Sequence, residues 1–245
     1  MEEKNPFDGI KTYDNYTHLL QLTGFIIIFQ VMVSLAAAIF GKKYGLGLTP
    51  YESIIPALLV TGYISWAVLD GLGVSFTGAW TDWSRNVLKD IKKAAKYFSG
   101  YLLVLLLLMV ALAVLWWALG DRMEQLMEPI TKRSLKEDGW LQGVASISNL
   151  RFLVVLFGTC VAAPVVEEVF FRRIVFATLR LKNRFWFSSF WSSLLFGLFH
   201  GVAAPLVLPF GMYSCWVYEK ERRLPVNIML HSMVNLSMIT LKVLT

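Results

Sequence analysis

The segment Ala163-Pro-Val-Val-Glu-Glu-Val-Phe-Phe-Arg-Arg173 places two adjacent carboxylates and two guanidiniums inside an otherwise apolar run. A charge near the bilayer centre costs about 2.5–3.5 kcal/mol on insertion scales, so acids within such a run indicate a functional site. On a helix, Glu168 and Arg172 are one turn apart and can pair. Glu167 points about 100° away from that face. We therefore interpret Glu168 and Arg172 as a structural ion pair and Glu167 as the available acid.

The composition around this segment is that of a membrane protein. Of the 245 residues, 56% are hydrophobic and only 16% are charged, whereas soluble domains are about 25% charged. Several apolar runs reach the ~20 residues needed to cross a bilayer. The sequence predicts an all-α, polytopic membrane helix bundle with about seven transmembrane helices plus one or two interfacial helices. The predicted spans are His18–Phe40, Ser53–Leu72, Tyr101–Leu119, Asn149–Arg180, Phe185–Ala204, Pro205–Tyr218 and Pro225–Leu244.

Two stretches between the spans are amphipathic or mixed in charge. Residues Thr81–Phe98 have one apolar face and many basic residues, which predicts a helix that lies on the membrane surface or caps the next span. Residues 120–147 are interpreted as a loop, with a short helix near the capping box Ser134-Leu-Lys-Glu137. Residues 1–147 are expected to supply N-terminal membrane helices and loops, and residues 148–245 the catalytic core, within one membrane domain.

The formal net charge of +6 comes from basic residues that cluster between the spans. That pattern is typical of membrane orientation and of contact with anionic lipid, so no nucleic-acid partner is expected. The side that carries more Lys and Arg places the N-terminus in the cytoplasm, which predicts an integral protein of the plasma (cytoplasmic) membrane. The polar N-terminus, residues 1–6, predicts a first span that inserts without cleavage.

Two further polar motifs lie in later spans, Phe196-Gly-Leu-Phe-His200 and His231-Ser-Met-Val-Asn235. His231 and Asn235 are one helical turn apart and share a face. Glu167 and His200 lie at similar distances from the turn at residues 182–183, so a helical hairpin would bring them within about 5 Å of the same depth. The polar groups are therefore expected at one level, towards the cytoplasmic side.

Pro164 lies just before the acidic pair. A proline inside a helix removes a hydrogen bond and frees a carbonyl one turn back, which on an α-helix is that of Cys160. Such breaks are tolerated in membrane helices where they line a cavity. We expect room for a water molecule beside Glu167.

These residue types suit hydrolysis of a peptide bond. A carboxylate beside an imidazole can activate water, and an imidazole with a carboxamide can stabilise an oxyanion. The alternative is that His200 and His231 are structural histidines, hydrogen-bonded within the helix bundle, and that Asn235 joins two helices. Glu167, His200 and His231 could also hold zinc. The zinc-binding helix motif H-E-x-x-H is absent, so no cofactor is favoured and zinc is the alternative.

The motifs E-E-x-x-x-R, F-x-x-x-H and H-x-x-x-N, in this order on successive membrane helices, resemble those of the CPBP family over residues 148–244. That family comprises CAAX prenyl endopeptidases and bacteriocin-processing or immunity-type (Abi) membrane proteins. The resemblance implies that Glu167 and His200 activate the water and that His231 and Asn235 form the oxyanion site. Glu168 and Arg172 match the remaining motif positions, and Phe196 is expected to pack the site as an aromatic wall.

The leading hypothesis is a glutamate-dependent intramembrane endopeptidase that cleaves a membrane-associated peptide, such as a prenylated CAAX protein or a bacteriocin-like precursor. The second hypothesis is a non-catalytic protein on the same scaffold that acts in bacteriocin immunity or regulation. A transporter or channel would spread its polar groups along a pathway, whereas here they are concentrated at one level.

Overall fold

The computed structural model describes residue 5 and residues 7–244. This part of the chain is 88% helical and contains no strand. We expected a polar N-terminus, residues 1–6, before a first span that inserts without cleavage. Residues 1–4 and 6 of this stretch lie outside the described part. The helices are α1 (Tyr16–Lys43), α2 (Pro50–Ser53), α3 (Ile55–Gly71), α4 (Phe76–Leu119), α5 (Asp121–Ile147), α6 (Asn149–Lys182), α7 (Phe185–Phe199), α8 (Ala204–Glu221) and α9 (Leu224–Leu244).

Six of these segments are long and apolar enough to cross a membrane, and α7 is a shorter apolar helix of 15 residues. The all-α, polytopic membrane bundle is therefore confirmed. The predicted span Phe185–Ala204 breaks at His200, because Gly201 adopts a φ of 61° that ends the helix. Glycine reaches this left-handed region without the steric cost that a side chain brings.

Two connecting segments differ from their predictions. The basic stretch 81–98 is continuous with the following span in α4, a single helix of 44 residues. Residues predicted as a loop with a short helix form α5, a helix of 27 residues. Ion pairs one turn apart, Glu128–Lys132 and Arg133–Glu137, stabilise α5. Ser148 separates α5 from α6 at the predicted division between residues 1–147 and 148–245, and the division itself stays a prediction.

The two ends of the bundle are defined by contacts between its turns. At the N-terminal end, Lys182 binds the Asp14 carbonyl and Lys11 Nζ lies 2.7 Å from the Gly73 carbonyl. At the opposite end, Arg151 at the start of α6 lies 2.6 Å from Glu52, and Lys242 at the end of α9 lies 2.8 Å from Asp138 of α5. Both ends of α5 are therefore on the side opposite the N-terminus, and α5 lies across that end instead of crossing the bundle.

The core is built around α6, which contacts α3, α7 and α9. Its central part is buried, with Phe170 and Phe171 packed against Phe196 of α7. The hairpin of α7 and α8 packs closely because Gly211 has no side chain facing Ser193. Large apolar side chains on α1 and α4 are exposed, as lipid-facing residues of a membrane bundle are. The acidic segment is thus held at the centre of the helices.

Candidate active site

The helix α6 is widened on both sides of Glu167. Residues Gly158–Ala162 and Glu168–Phe176 form π-helical turns, and the Ala163 amide bonds the Gly158 carbonyl, five residues back. A π-turn holds one residue more per turn than an α-helix and occurs frequently at functional sites. Glu167 is the last residue of the short α-helical segment between these turns.

The first π-turn changes the consequence of Pro164. In π-helical register the missing N–H of residue 164 leaves the carbonyl of Thr159 without its partner, not that of Cys160 as predicted for an α-helix. The side-chain amide of Asn235 donates to this Thr159 carbonyl at 2.8 Å. Asn235 therefore joins α9 to α6 at the proline break, which is the helix-joining contact considered above. One N–H of its amide remains for another acceptor.

Glu168 is the centre of a fully buried polar cluster. Its carboxylate lies 3.1 Å from Arg172 Nε, and both side chains have no exposed surface. Ser214 of α8 donates to the same carboxylate at 2.9 Å, and His231 Nδ1 lies 2.9 Å from its other oxygen. The one-turn pairing of Glu168 with Arg172 is thus present. Buried charges require this degree of pairing and hydrogen bonding.

Two members of this cluster were not predicted from the sequence. Ser214 accepts a hydrogen bond from Arg172 Nε at 3.0 Å, and Asn227 Nδ2 donates to the hydroxyl and the carbonyl of Ser214, both at 2.7 Å. Asn227 could have been found, because Asn227, His231 and Asn235 recur every four residues on one face of α9. Ser214 carries no such signal.

Glu167 lies beside the buried cluster and contacts a cavity. Its side chain is 20% exposed, and its carboxylate lies 3.7 Å from Nε2 of His231. The cavity has a volume of about 130 Å³, and His200 also lines it. Its other lining residues include Gln30, Thr61 and Arg133. Gln30 could have been noticed as an amide in the middle of the first apolar run.

His200 ends α7 and is fixed by local contacts. Its Nδ1 lies 2.8 Å from the Phe196 carbonyl, so Nδ1 is the donor of this hydrogen bond, and in a neutral ring Nε2 is the acceptor. Phe196 is fully buried and its ring lies 4.6 Å from the His200 ring and 5.8 Å from that of His231. The Arg172 guanidinium stacks on the same ring at 4.6 Å. Phe196 thus packs against His200, His231 and Arg172.

The structure brings most of the motif residues to one level of the bundle. Glu167 and His200 line the same cavity, and His231 bridges Glu167 and Glu168 through its two ring nitrogens. Asn235, one turn further along α9, reaches the Thr159 carbonyl. The catalytic roles that we assigned to Glu167, His200, His231 and Asn235 stay predictions.

The cavity reaches the end of the bundle that α5 covers. Arg133, in the middle of α5, lines the cavity and donates a hydrogen bond to the His200 carbonyl. Ile54, just before the first turn of α3, lines it at the same end. We expected both the N-terminus and the site on the cytoplasmic side, whereas the structure directs the cavity to the end opposite the N-terminus. The orientation in the membrane stays a prediction.

Metal binding was the alternative use of these side chains. Among residue 5 and residues 7–244, no group of three or more His, Cys, Asp or Glu side chains is arranged to hold a metal ion. The cofactor prediction, with none favoured and zinc at Glu167, His200 and His231 as the alternative, stays a prediction.

Fold and site together define an all-α integral membrane protein with a carboxylate–histidine cluster among its helices. Residues 149–237 match the family model described as Type II CAAX prenyl endopeptidase Rce1-like, which confirms the recognised CPBP family for the segment that carries the site. The chain is also 34% identical over 77 residues to a Bacillus subtilis (strain 168) protein named "Putative membrane peptidase YdiL". That similarity spans 31% of this chain and 32% of the relative. No solved structure matches the chain significantly.

Proposed function

We propose that the protein is an intramembrane endopeptidase that hydrolyses a peptide bond of a membrane-associated peptide. The observation that carries this proposal is the Glu167 carboxylate, which lies 3.7 Å from His231 Nε2 and shares a cavity with His200. The similarity to a family of prenyl endopeptidases supports the same reaction class.

Water is activated between Glu167 and His200. Both side chains line the same cavity, and the Glu167 carboxylate and Nε2 of a neutral His200 are hydrogen-bond acceptors. Glu167 takes a proton from the water while the oxygen attacks the carbonyl carbon of the substrate. The carbon–nitrogen bond then breaks, and the proton moves to the leaving amine, which leaves a carboxylic acid and an amine as products.

The oxyanion is stabilised by His231 and Asn235. Nδ1 of His231 donates to the buried Glu168 carboxylate, so a proton on Nε2 makes the ring an imidazolium. With that proton, the cluster of Glu167, Glu168, Arg172 and His231 is electrically neutral, which lowers the cost of burying these charges. Nε2–H of His231 and the second N–H of the Asn235 amide are donors for the oxyanion.

The substrate contains an apolar chain that can occupy a second, larger groove. This groove has a volume of about 740 Å³ and runs along the end of α1 and the segment before α3. Ile54 lines both the groove and the catalytic cavity. A prenyl group or an apolar stretch of a bacteriocin-like precursor fits a groove that is lined mainly by small and apolar residues.

The test is peptide cleavage by purified protein. Wild type, Glu167→Gln and the control Glu128→Gln, an exposed acid on α5, are incubated in detergent with a peptide library that includes farnesylated members. We expect Glu167→Gln alone to lose cleavage. Cleavage that survives Glu167→Gln overturns the assigned base, and cleavage that a chelator abolishes redirects the mechanism to a metal.

The non-catalytic alternative has its own outcome. If wild-type protein cleaves no member of the library and Glu167→Gln fully complements a deletion strain, the carboxylate is dispensable. The protein would then act as a scaffold in bacteriocin immunity or regulation.

A further inference from the structure

The helix α5 touches both of the helices that carry the two site histidines. Arg133 Nη1 donates to the carbonyl of His200 at the end of α7. Lys242, at the end of α9, lies 2.8 Å from Asp138 and 3.3 Å from Glu137. His231 lies on the same helix as Lys242, three turns earlier.

These contacts form one continuous chain of charges. Nε of Arg133 lies 2.7 Å from the Glu137 carboxylate, and the other oxygen of that carboxylate faces Lys242 Nζ. The sequence of contacts therefore runs from the His200 carbonyl through Arg133 and Glu137 to Lys242. We call Arg133, Glu137 and Lys242 the polar clamp.

The His200 carbonyl is a position where a cation is effective. The last carbonyls of a helix have no partner within the helix, and this end of the helix dipole is negative. The described backbone donor to this carbonyl, the Ala203 amide, is distant at 3.4 Å. At Gly201 a Cβ atom would come within 3.3 Å of Arg133 Nη1, so the chain turns closely around the guanidinium.

We infer that Arg133 is a positioning residue, which through the polar clamp holds His200 at the cavity that it shares with Glu167 and fixes α7 relative to α9. This inference rests on the proposed function. Arg133 has the geometry for the task because its planar guanidinium binds a carboxylate and a carbonyl at the same time, which a lysine ammonium does less well.

The first measurement compares the kinetics of Arg133→Ala, Arg133→Lys and the control Lys132→Ala. Lys132 pairs with Glu128 one turn away on the surface of the same helix, with 68% of its side chain exposed. Misplacing a catalytic group costs on the order of 10- to 100-fold in rate. We expect Arg133→Ala to lose that much kcat with KM changed by less than about twofold, Arg133→Lys to recover part of it, and Lys132→Ala to match wild type.

The second measurement does not depend on activity. The chain has three histidines, so histidine-labelled protein gives few ring signals in an NMR spectrum, and the variant His200→Gln assigns that of His200. We expect Arg133→Ala to shift or broaden the His200 signal and to leave that of His18 unchanged, while Lys132→Ala changes neither.

The outcomes separate the two proposals. An inactive wild type, together with full complementation of a deletion strain by Glu167→Gln, overturns the proposed function. The His200 signal still decides whether the polar clamp positions the ring. An active wild type with an equally active Arg133→Ala overturns the inference. Loss of activity in Arg133→Ala with an unchanged His200 signal and no recovery in Arg133→Lys overturns it as well, because Arg133 would then support only the fold.

Discussion

The two adjacent glutamates are expected to respond in opposite ways to the same substitution. Glu168 is fully buried and contacts Arg172, Ser214 and His231. Glu168→Gln removes the charge that compensates the buried guanidinium, and breaking a buried pair in this way costs about 3–5 kcal/mol. Glu167 is 20% exposed and its described ionic contact is at 3.7 Å, so Glu167→Gln is expected to cost less than about 1 kcal/mol.

The free energies of unfolding can be compared in mixed micelles by titration with a denaturing detergent. The nine tryptophans of the chain provide the fluorescence signal. Each variant serves as the matched control for the other, because the residue type, the substitution and the helix are the same. We expect Glu168→Gln to lower the free energy of unfolding strongly and Glu167→Gln to abolish cleavage in a protein that stays folded.

A double-mutant cycle makes the comparison stricter. Arg172→Gln combined with Glu168→Gln should cost less than the two single substitutions added together, because neither leaves an uncompensated charge when the other is present. Equal free energies of unfolding for Glu167→Gln and Glu168→Gln, or a strictly additive cycle, would refute the assignment of Glu168 to a structural ion pair.

Three other substitutions test the packing, the proline break and the orientation. Gly211→Ala places a Cβ atom 2.8 Å from that of Ser193 and should destabilise the hairpin of α7 and α8 by about 1–3 kcal/mol in the same unfolding assay. The control Gly143→Ala, at a position of α5 with open space around it, should be neutral or stabilising. Equal effects of the two substitutions would contradict this packing. Asn235→Ala leaves the Thr159 carbonyl unpaired and should lower the free energy of unfolding by about 1–3 kcal/mol. The control Ser237→Ala loses only a hydrogen bond within its own helix and should leave the free energy of unfolding unchanged. With a cytoplasmic N-terminus, a membrane-impermeant maleimide should label Lys136→Cys in intact cells and Lys89→Cys only after permeabilisation. The native Cys160 and Cys215 are buried and should give a low background. The reverse labelling pattern would place the N-terminus outside the cytoplasm.

Several features of the site could be predicted because they depend on the helix alone. Glu168 and Arg172 pair since four residues bring side chains to the same face. Glu167 and His200 share a cavity since they lie at similar distances along their helices from the turn between α6 and α7. Helical rise and helical face are local properties, and the sequence determines them directly.

Other features depend on tertiary contacts or on a shift of the helical hydrogen-bond register by one residue. The mixed charges of residues 120–147 indicated a loop, but ion pairs to α9 hold this segment as a helix across the end of the bundle. Arg133 could therefore not be placed beside His200. The contact of Asn235 with Thr159 depends on a π-helical register, which the pattern of apolar residues in α6 does not reveal.

The widened turn at Gly158–Ala162 also bears on how such a helix tolerates changes in length. A π-turn accommodates one additional residue while the helix after it keeps its direction. Deleting one residue within this turn would leave Glu167 and Glu168 facing as they do, whereas a deletion in the preceding α-helical segment Asn149–Phe157 would rotate both by about 100°. A single inserted codon could therefore have created the widened turn during evolution without disturbing the ion pair behind it.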